Sequence, residues 1–494
     1  MYDTIVIGND LSSLIAATIL SHRGLKTVLV CEGDAQYTYE ESGYTFNIDP
    51  SPLTGFGPAQ ICSRLAADLG ISITQCTGLH LLNPGLQIIM PDHRLDFFYN
   101  QEDLFREMER EFVGHAGNIR KLYMSILKIS EFIGQQTIEN PRIFPKSYKE
   151  MAMLLRNVPA LMLEWLSLSK AFKRVKTNSS LKRVIEAEST LLSNFHIDSN
   201  IGTTPVPSAY TLSLPLRGIY YSMGGNEFLL RSVKSRFDDS GGQIIKNCSV
   251  IRINAGRKTD VDVQLTEDTL SKIEGRYLIV STKWEKLKLL LLNDRKYRRL
   301  ERTLKSVKSM YYPFTLHMGV TENCIPEKMA AYVAVFINHK STIVNNNFVF
   351  IETSAAGDTK RAPHGKRALT ATIYLKESPL VLNDEELRGI SKTVLQSLGT
   401  FLPFLQENLD FINIDKSIEF SRKNQEVTNQ KYCMRYCPFL GMSRISNKTH
   451  IHNVYMTGGM LMAGLGFEGE IISGINAADS ILSREGKTHG YRTN

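Results

Sequence analysis

Hydrophobic and polar positions change their spacing along the chain in a way that predicts alternating strands and helices. Residues 4–8, Thr-Ile-Val-Ile-Gly, form a short β-branched run closed by glycine, the pattern of a strand buried on both faces. Leu11 to His22 places small and apolar residues at helical spacing, and Gly24 stands just past its end as a C-cap. Lys26 to Cys31 predicts a second strand, with Glu32 at its end. Strand, glycine turn, helix, strand and terminal acid within about thirty residues is the dinucleotide-binding arrangement. In it the helix N-terminus faces a diphosphate, and the acid bonds a ribose hydroxyl.

Further along, Glu102 to Leu127 repeats apolar residues at helical spacing, with acids early and bases late, and predicts helices. Residues 151–175 are rich in Met, Leu and Trp, and Pro159 should break or restart a helix there. Tyr277 to Ser281 predicts an apolar strand, and Trp284 to Lys308 a basic helix containing the run Leu289 to Leu292. Residues 311–320, 329–337, 348–351 and 369–374 alternate as sheet strands do, and His317 lies on the first of them. Residues 383–409 predict a helix opened by Asn383-Asp384-Glu385-Glu386. No internal repeat or low-complexity tract interrupts the pattern.

Composition narrows the class. At 494 residues, 43% hydrophobic and 22% charged, the chain is long enough to bury a core without disulfide or metal staples. The formal net charge of +8 is unevenly spread. Residues 141–183 carry ten bases against two acids, and residues 286–308 carry nine against two, which leaves the remainder mildly acidic. Such segments attract phosphate, whether of lipid or nucleotide. The 151–183 stretch, with Trp165 and Met beside Arg156, Lys170, Lys173 and Arg174, can lie on an anionic membrane, or it can pack as a cap helix on its own domain. Nucleic acid is not expected, for no zinc finger or RNP-like aromatic pattern accompanies the bases. Seven scattered cysteines predict reduced thiols. Cys433 and Cys437 lack a second ligand pair at zinc spacing, so no metal is expected. No leader pattern opens the chain, and no run reaches the ~18 apolar residues of a membrane span. The expected location is cytoplasmic, with peripheral membrane contact.

The glycine fingerprint is altered: its three positions hold Gly8, Asp10 and Ser13. An ionised carboxylate at Asp10 is expected to repel a diphosphate, with the helix dipole compensating only in part. Further stretches, Glu41 to Gly55 (ESGYTFNIDPSPLTG), Pro91 to Asp96, Gly218 to Gly225 (GIYYSMGG), Gly242 to Ile253, and Val454 to Gly469, follow one another in an order that resembles the phytoene desaturase group. That group belongs to the amine-oxidase-like FAD flavoproteins. The resemblance runs from residue 2 to about 485.

The resemblance implies an α/β fold. A Rossmann-like FAD/NAD(P)-binding domain would be assembled from 1–80, 216–300 and 431–494. A substrate domain would carry a helical cap from 81–215 and a mixed sheet from 301–430. Position for position, Gly8, Asp10, Leu11, Ser12, Ser13 and Glu32 fall on the ADP half of FAD, and Val250 meets the adenine through its backbone. Gly458, Gly459, Gly466 and Gly469 would line the ribityl and ring region. Glu468 and His317 are the catalytic candidates nearest the expected ring. Glu468 and Glu470 stand where the family carries Pro and an apolar residue, and both would disfavour an anionic reduced flavin unless protonated or paired. The implied activity is desaturation, saturation or isomerisation of a long apolar polyene or isoprenoid by hydride exchange with flavin N5. Asp10 and the missing Gly-Gly-Arg after Glu32 point the other way, to a protein that has lost FAD and binds lipid or prenyl groups, or serves as a scaffold.

Overall fold

The computed structural model describes residues 1–33, 36–72, 78–139, 163–164, 166–175, 177–195, 205–256, 258–266, 269–283, 286, 298–338, 341, 343, 347–425, 427–434 and 445–487. Residues 151–162 and Trp165 of the amphipathic segment, the Leu289–Leu292 run, Cys76 and Cys437 lie outside them.

Five parallel strands form the core of the first sheet, in the order Gln243–Ile245, Thr27–Val30, Tyr2–Ile7, Thr269–Ser281, Val454–Thr457. Ser249–Asn254 and Thr259–Thr266 extend it as an antiparallel ribbon along the first half of the long Thr269–Ser281 strand. Burial on both faces is why these strands read as unbroken apolar runs: Ile5, Val6, Ile7, Leu278, Ile279 and Val280 are inaccessible to solvent. Helix Leu11–His22 packs between helices Glu227–Asp239 and Gly466–Leu482.

The second sheet runs Leu409–Ile412, Val307–Thr321, Lys366–Leu375, Phe348–Thr353, Tyr332–Phe336, Leu86–Met90, His93–Phe97. Among the described residues its one parallel pair joins Tyr332–Phe336 to Leu86–Met90. Lys431–Met434, just beyond the boundary drawn at 430, also pairs with Val307–Thr321. Helix Asp384–Phe401 starts with a capping box between Asn383 and Glu386 and buries Leu387, Val394 and Leu398 with the sheet residues Leu316 and Met318. It stops eight residues short of the expected 409, because Pro403 cannot continue the ladder of backbone bonds. The basic helix expected to reach Lys308 ends at Leu304, and Val307 already belongs to a strand. Helices Gln101–Glu111, Ala116–Glu139, Ser179–Leu192 and Pro205–Arg217 pack pairwise into the cap.

A hairpin of Thr38–Glu41 and Tyr44–Asn47 links the two sheets. Tyr44 lies flat against Gly319, where an added Cβ would come 2.3 Å from the ring. Behind it, Arg361 and Glu352 form a two-pronged ion pair, both side chains wholly buried. Arg361 Nε donates to the Thr45 carbonyl, and Asn47 Nδ2 donates to Glu352 Oε1 at 3.2 Å. His317 sits in this aromatic layer, 4.9 Å from Tyr39 and 5.5 Å from Phe46 between ring centres. Burial pulls its imidazole down to about 3, so the ring is neutral when folded.

Removing one partner of a buried pair strands the other. Glu352→Ala is therefore expected to lower stability by about 3–5 kcal/mol in urea unfolding. A loss within about 0.5 kcal/mol, as for a surface substitution, would contradict the role given to the pair. His317 is expected to contribute to acid sensitivity. Its neutral form folds without penalty above about pH 6.5, and stability falls below that by up to about 1.4 kcal/mol per pH unit until the folded value is reached. His317→Gln should flatten that part of the stability-against-pH curve, and an unchanged slope would refute the assignment.

Candidate functional site

The first strand ends at Ile7, and Gly8 turns the chain at φ +148° into the helix that begins at Leu11. A Cβ on Gly8 would stand 2.6 Å from both Ser13 Oγ and Ser281 Cβ, so only glycine lets the two strand ends and the helix meet. Asp10 is the N-cap. Ser12 Oγ donates to its Oδ2 at 2.6 Å, Ser13 Oγ to its Oδ1 at 2.5 Å, and the Ser13 amide to Oδ1 at 3.3 Å. The acid expected to repel a diphosphate is thus hydrogen-bonded within its own turn. The carboxylate is 1% exposed and turned back along its own helix, where capping favours an acid.

A cleft of about 610 Å³ opens here, outside the carboxyl ends of the parallel strands, lined by Gly8, Asn9, Asp10, Cys31 and Gly33. Its far walls bring Arg231 and Lys234 from helix Glu227–Asp239, Lys246 from beyond the Gln243–Ile245 strand, and Lys416 and Phe420 from helix Ile414–Lys423 of the second domain. The same lining holds Asp10, Glu40 and Glu227; Arg231 lies 3.7 Å from Glu227, and Lys416 pairs with Glu419 at 2.9 Å. Glu32 and Val250, paired only by the resemblance, are in direct contact: the Val250 amide donates to Glu32 Oε1 at 2.6 Å. Lys286 Nζ reaches the same oxygen at 2.8 Å.

The next space lies between the starts of helices Leu11–His22 and Gly466–Leu482. It encloses about 40 Å³, room for a few waters, and its lining includes Leu11, Tyr37, Asp49, Ser51, Asn429, Phe467 and Glu470. Lys283, with 3% of its side chain exposed, sits beside this space, its Nζ 3.2 Å from Glu470 Oε1 and 2.9 Å from Asn429 Oδ1. Asn429 Nδ2 in turn donates to Asp49 Oδ2 at 2.7 Å. Burial pulls the Lys283 ammonium down, but Glu470, Asp10, Tyr432 and Asp49 together outweigh it and hold it above the ordinary lysine range. Burial lifts the Glu470 carboxyl to about 7; Lys283 opposes that rise, while Asp10 and Asp49 add to it.

The C-terminal glycines divide. A Cβ at Gly458, Gly466 or Gly469 would run into Thr282 Oγ1, the Leu192 carbonyl or the Met462 carbonyl at 2.1–2.2 Å, so close packing of the chain on itself requires them. Gly459 alone of the four faces the polar cluster, toward Asn194, Asn429 and Lys283. Glu468 is fully buried. Tyr210 donates to its Oε2 at 2.5 Å, and its Oε1 has no partner among the described residues. The two carboxylates expected to burden a reduced flavin are thus paired, Glu470 with an ammonium and Glu468 with a phenol. His317 is not brought to either of them. It lies behind Tyr39 and Phe420, which stack at 4.3 Å and line the cleft themselves.

Lys283, Asp49, Tyr37 and Asn429 escaped the reading of the sequence. A signal for Lys283 existed: Thr269–Ser281 runs parallel to Tyr2–Ile7 with Val280 beside Ile7, so a residue just past its end must emerge beside the Gly8 turn.

The model of the flavin-containing amine oxidoreductases matches residues 11–482. A chloroplastic prolycopene isomerase from Daucus carota is 24% identical, the alignment covering 98% of this chain and 80% of that protein. A lycopene-forming phytoene desaturase from a Paracoccus strain is 21% identical, with 97% of each chain covered. Among solved structures, cyclohexylamine oxidase from Brevibacterium oxydans superposes with a TM-score of 0.57 at 11% identity, covering 98% of this chain and all of that one. A Rab GDI from Plasmodium falciparum does so at 0.54 and 10% identity, covering 99% and 98%. With a family match from the first helix to the last, the chain belongs to the flavin-containing amine oxidoreductases.

Proposed function

We propose that the chain is an FAD-dependent oxidoreductase that desaturates, saturates or isomerises a long apolar polyene or isoprenoid. The observation that carries this reading is the 610 Å³ cleft at the Gly8 turn, with the bonded Glu32–Val250 pair at the end of the second strand. Residues at the nucleotide end fit the cofactor. Asn9 Oδ1, in the lining segment, is buried without a partner among the described residues. Leu11, Ser12 and Ser13 start the helix, and Glu32 stands at the strand end where a ribose would lie, its Oε1 already holding the Val250 amide and Lys286. Arg231, Lys234, Lys246 and Lys416 bring the positive charge that a diphosphate needs, in place of the absent Gly-Gly-Arg.

A flavin bound there supplies hydride exchange at its N5. This chain's own part is to bind, orient and exclude water. Tyr210 holds its phenolic proton against Glu468 Oε2, in a site closed to solvent. The named activities of the carrot and Paracoccus relatives support an apolar polyene as substrate class. One observation favours a second reading, in which the fold persists without redox chemistry: the described residues leave only about 40 Å³ between the two helix starts.

Contact with an anionic membrane surface is part of the proposal. Leu168, Phe172 and Val175 pack into the core, whereas Leu163 and Leu166 are 70% and 52% exposed on the same segment as the exposed Lys170, Lys173 and Arg174. Among the described residues no helix is long and apolar enough to cross a membrane.

Purified protein is expected to carry or take up flavin absorbance, and excess FAD should raise its unfolding free energy, by about 2.7 kcal/mol at a hundredfold excess over Kd. A colourless protein whose unfolding ignores FAD would establish the second reading instead. In co-sedimentation, binding should grow with the anionic lipid fraction, fall with salt, and weaken in Leu166→Asp. Equal recovery on neutral vesicles would rule out the electrostatic part.

A further inference from the structure

The Lys283–Glu470 pair bridges the segment after the Thr269–Ser281 strand to helix Gly466–Leu482, beside the narrow space that Glu470 and Asn429 line. Among the described residues, the charged and titratable groups acting on it come from several elements, with Glu227 beside Tyr37 and Lys431 beside Asp49 at the edge of the cluster. Asp10 comes from the cap of the first helix, Asp49 from the segment after Tyr44–Asn47, Tyr37 from the segment after Glu32, and Tyr432 from Lys431–Met434. Lys431, buried and bonded to the Ser193 carbonyl, is a second ammonium acting on Asp49, which leaves Lys283 as the cation bonded to Glu470.

Their hydrogen bonding is unequal. Asp10 collects two serine hydroxyls and an amide, and Asp49 collects the Ser51 amide and hydroxyl and the Asn429 amide group. Glu470 is bonded by Lys283 alone among the described residues. It is thus the carboxylate that loses least on protonation. A diphosphate adds negative charge to a site already rich in it, and the least costly compensation is a proton on that acid. Once Glu470 is neutral, Lys283 loses its one bonded carboxylate and keeps only the Asn429 bond and the more distant pull of Asp10 and Asp49.

Resting on the FAD reading above, we propose that Lys283 and Glu470 form a proton-coupled latch on the cofactor site: FAD binding takes up a proton at Glu470 and frees Lys283 to face the ligand's anionic groups. Both are positioning and binding residues in this account, and neither needs to touch a reacting atom.

The test is FAD affinity of the whole protein, titrated between roughly pH 6 and 9, with calorimetry in two buffers of different ionisation enthalpy to count protons. The expected result is net proton uptake and a Kd that climbs above about pH 7 by up to about tenfold per unit. Glu470→Gln, close in shape and uncharged, should bind as the wild type does at low pH, with no slope and no uptake. Lys283→Met should bind weakly throughout. Tight wild-type binding with a flat pH profile and no proton uptake overturns the latch and leaves the FAD reading standing, as does a wild-type slope in Glu470→Gln. Failure of the wild type to bind FAD at any pH overturns both. Should Glu470→Gln not fold, the wild-type proton count still decides.

Discussion

Charge taken out of water must be matched, and the junction between the two sheets is organised around that demand. Arg361 and Glu352 satisfy each other completely, with two prongs and with further bonds to the linking hairpin. Asp10 is satisfied locally, by the hydroxyls and amide of the turn it caps. Among the described residues, Lys283 and Glu470 are bonded through their charged groups only to each other and to one amide. The three solutions form a gradient from rigid to yielding, and the yielding one lies at the candidate site.

The same junction decides what forms the cleft. The Gly8 turn and the second strand supply one wall, while Lys416 and Phe420 come from a helix packed on the other sheet. The aromatic layer of Tyr39, Phe46, Phe420 and His317 closes the space between them. His317, buried and neutral, fills volume there and keeps Phe420 in place as a cleft wall.

Much of the first domain was legible because its signals are local. A β-branched run, a glycine, a helix of small residues and an acid at fixed offset lie within one stretch of chain, and the strands and helix form where expected. Asp10 was legible as a departure but not in its effect, since residue type alone does not say whether a carboxylate faces a ligand or its own helix. The cations of the cleft come from positions 231, 234, 246 and 416, which only the tertiary fold assembles. His317 shows the limit of alternation: period two assigned it to a strand but could not name the face or the three aromatic rings around it. The C-terminal glycines carried a sound signal for tight packing, and the structure shows that three of them answer to the chain's own carbonyl and hydroxyl groups.

The two-domain origin of the cleft has a consequence for how the molecule matures. Its walls are synthesised more than 400 residues apart, Gly8 near the start and Lys416 and Phe420 near the end, and Gly466–Leu482 closes the adjoining space later still. The two walls can therefore meet only after the chain from Gly8 to Phe420 has been made. Loss of helix Gly466–Leu482 would take Phe467 and Glu470 from the adjoining space together, removing one of its sides whole rather than weakening it by degrees.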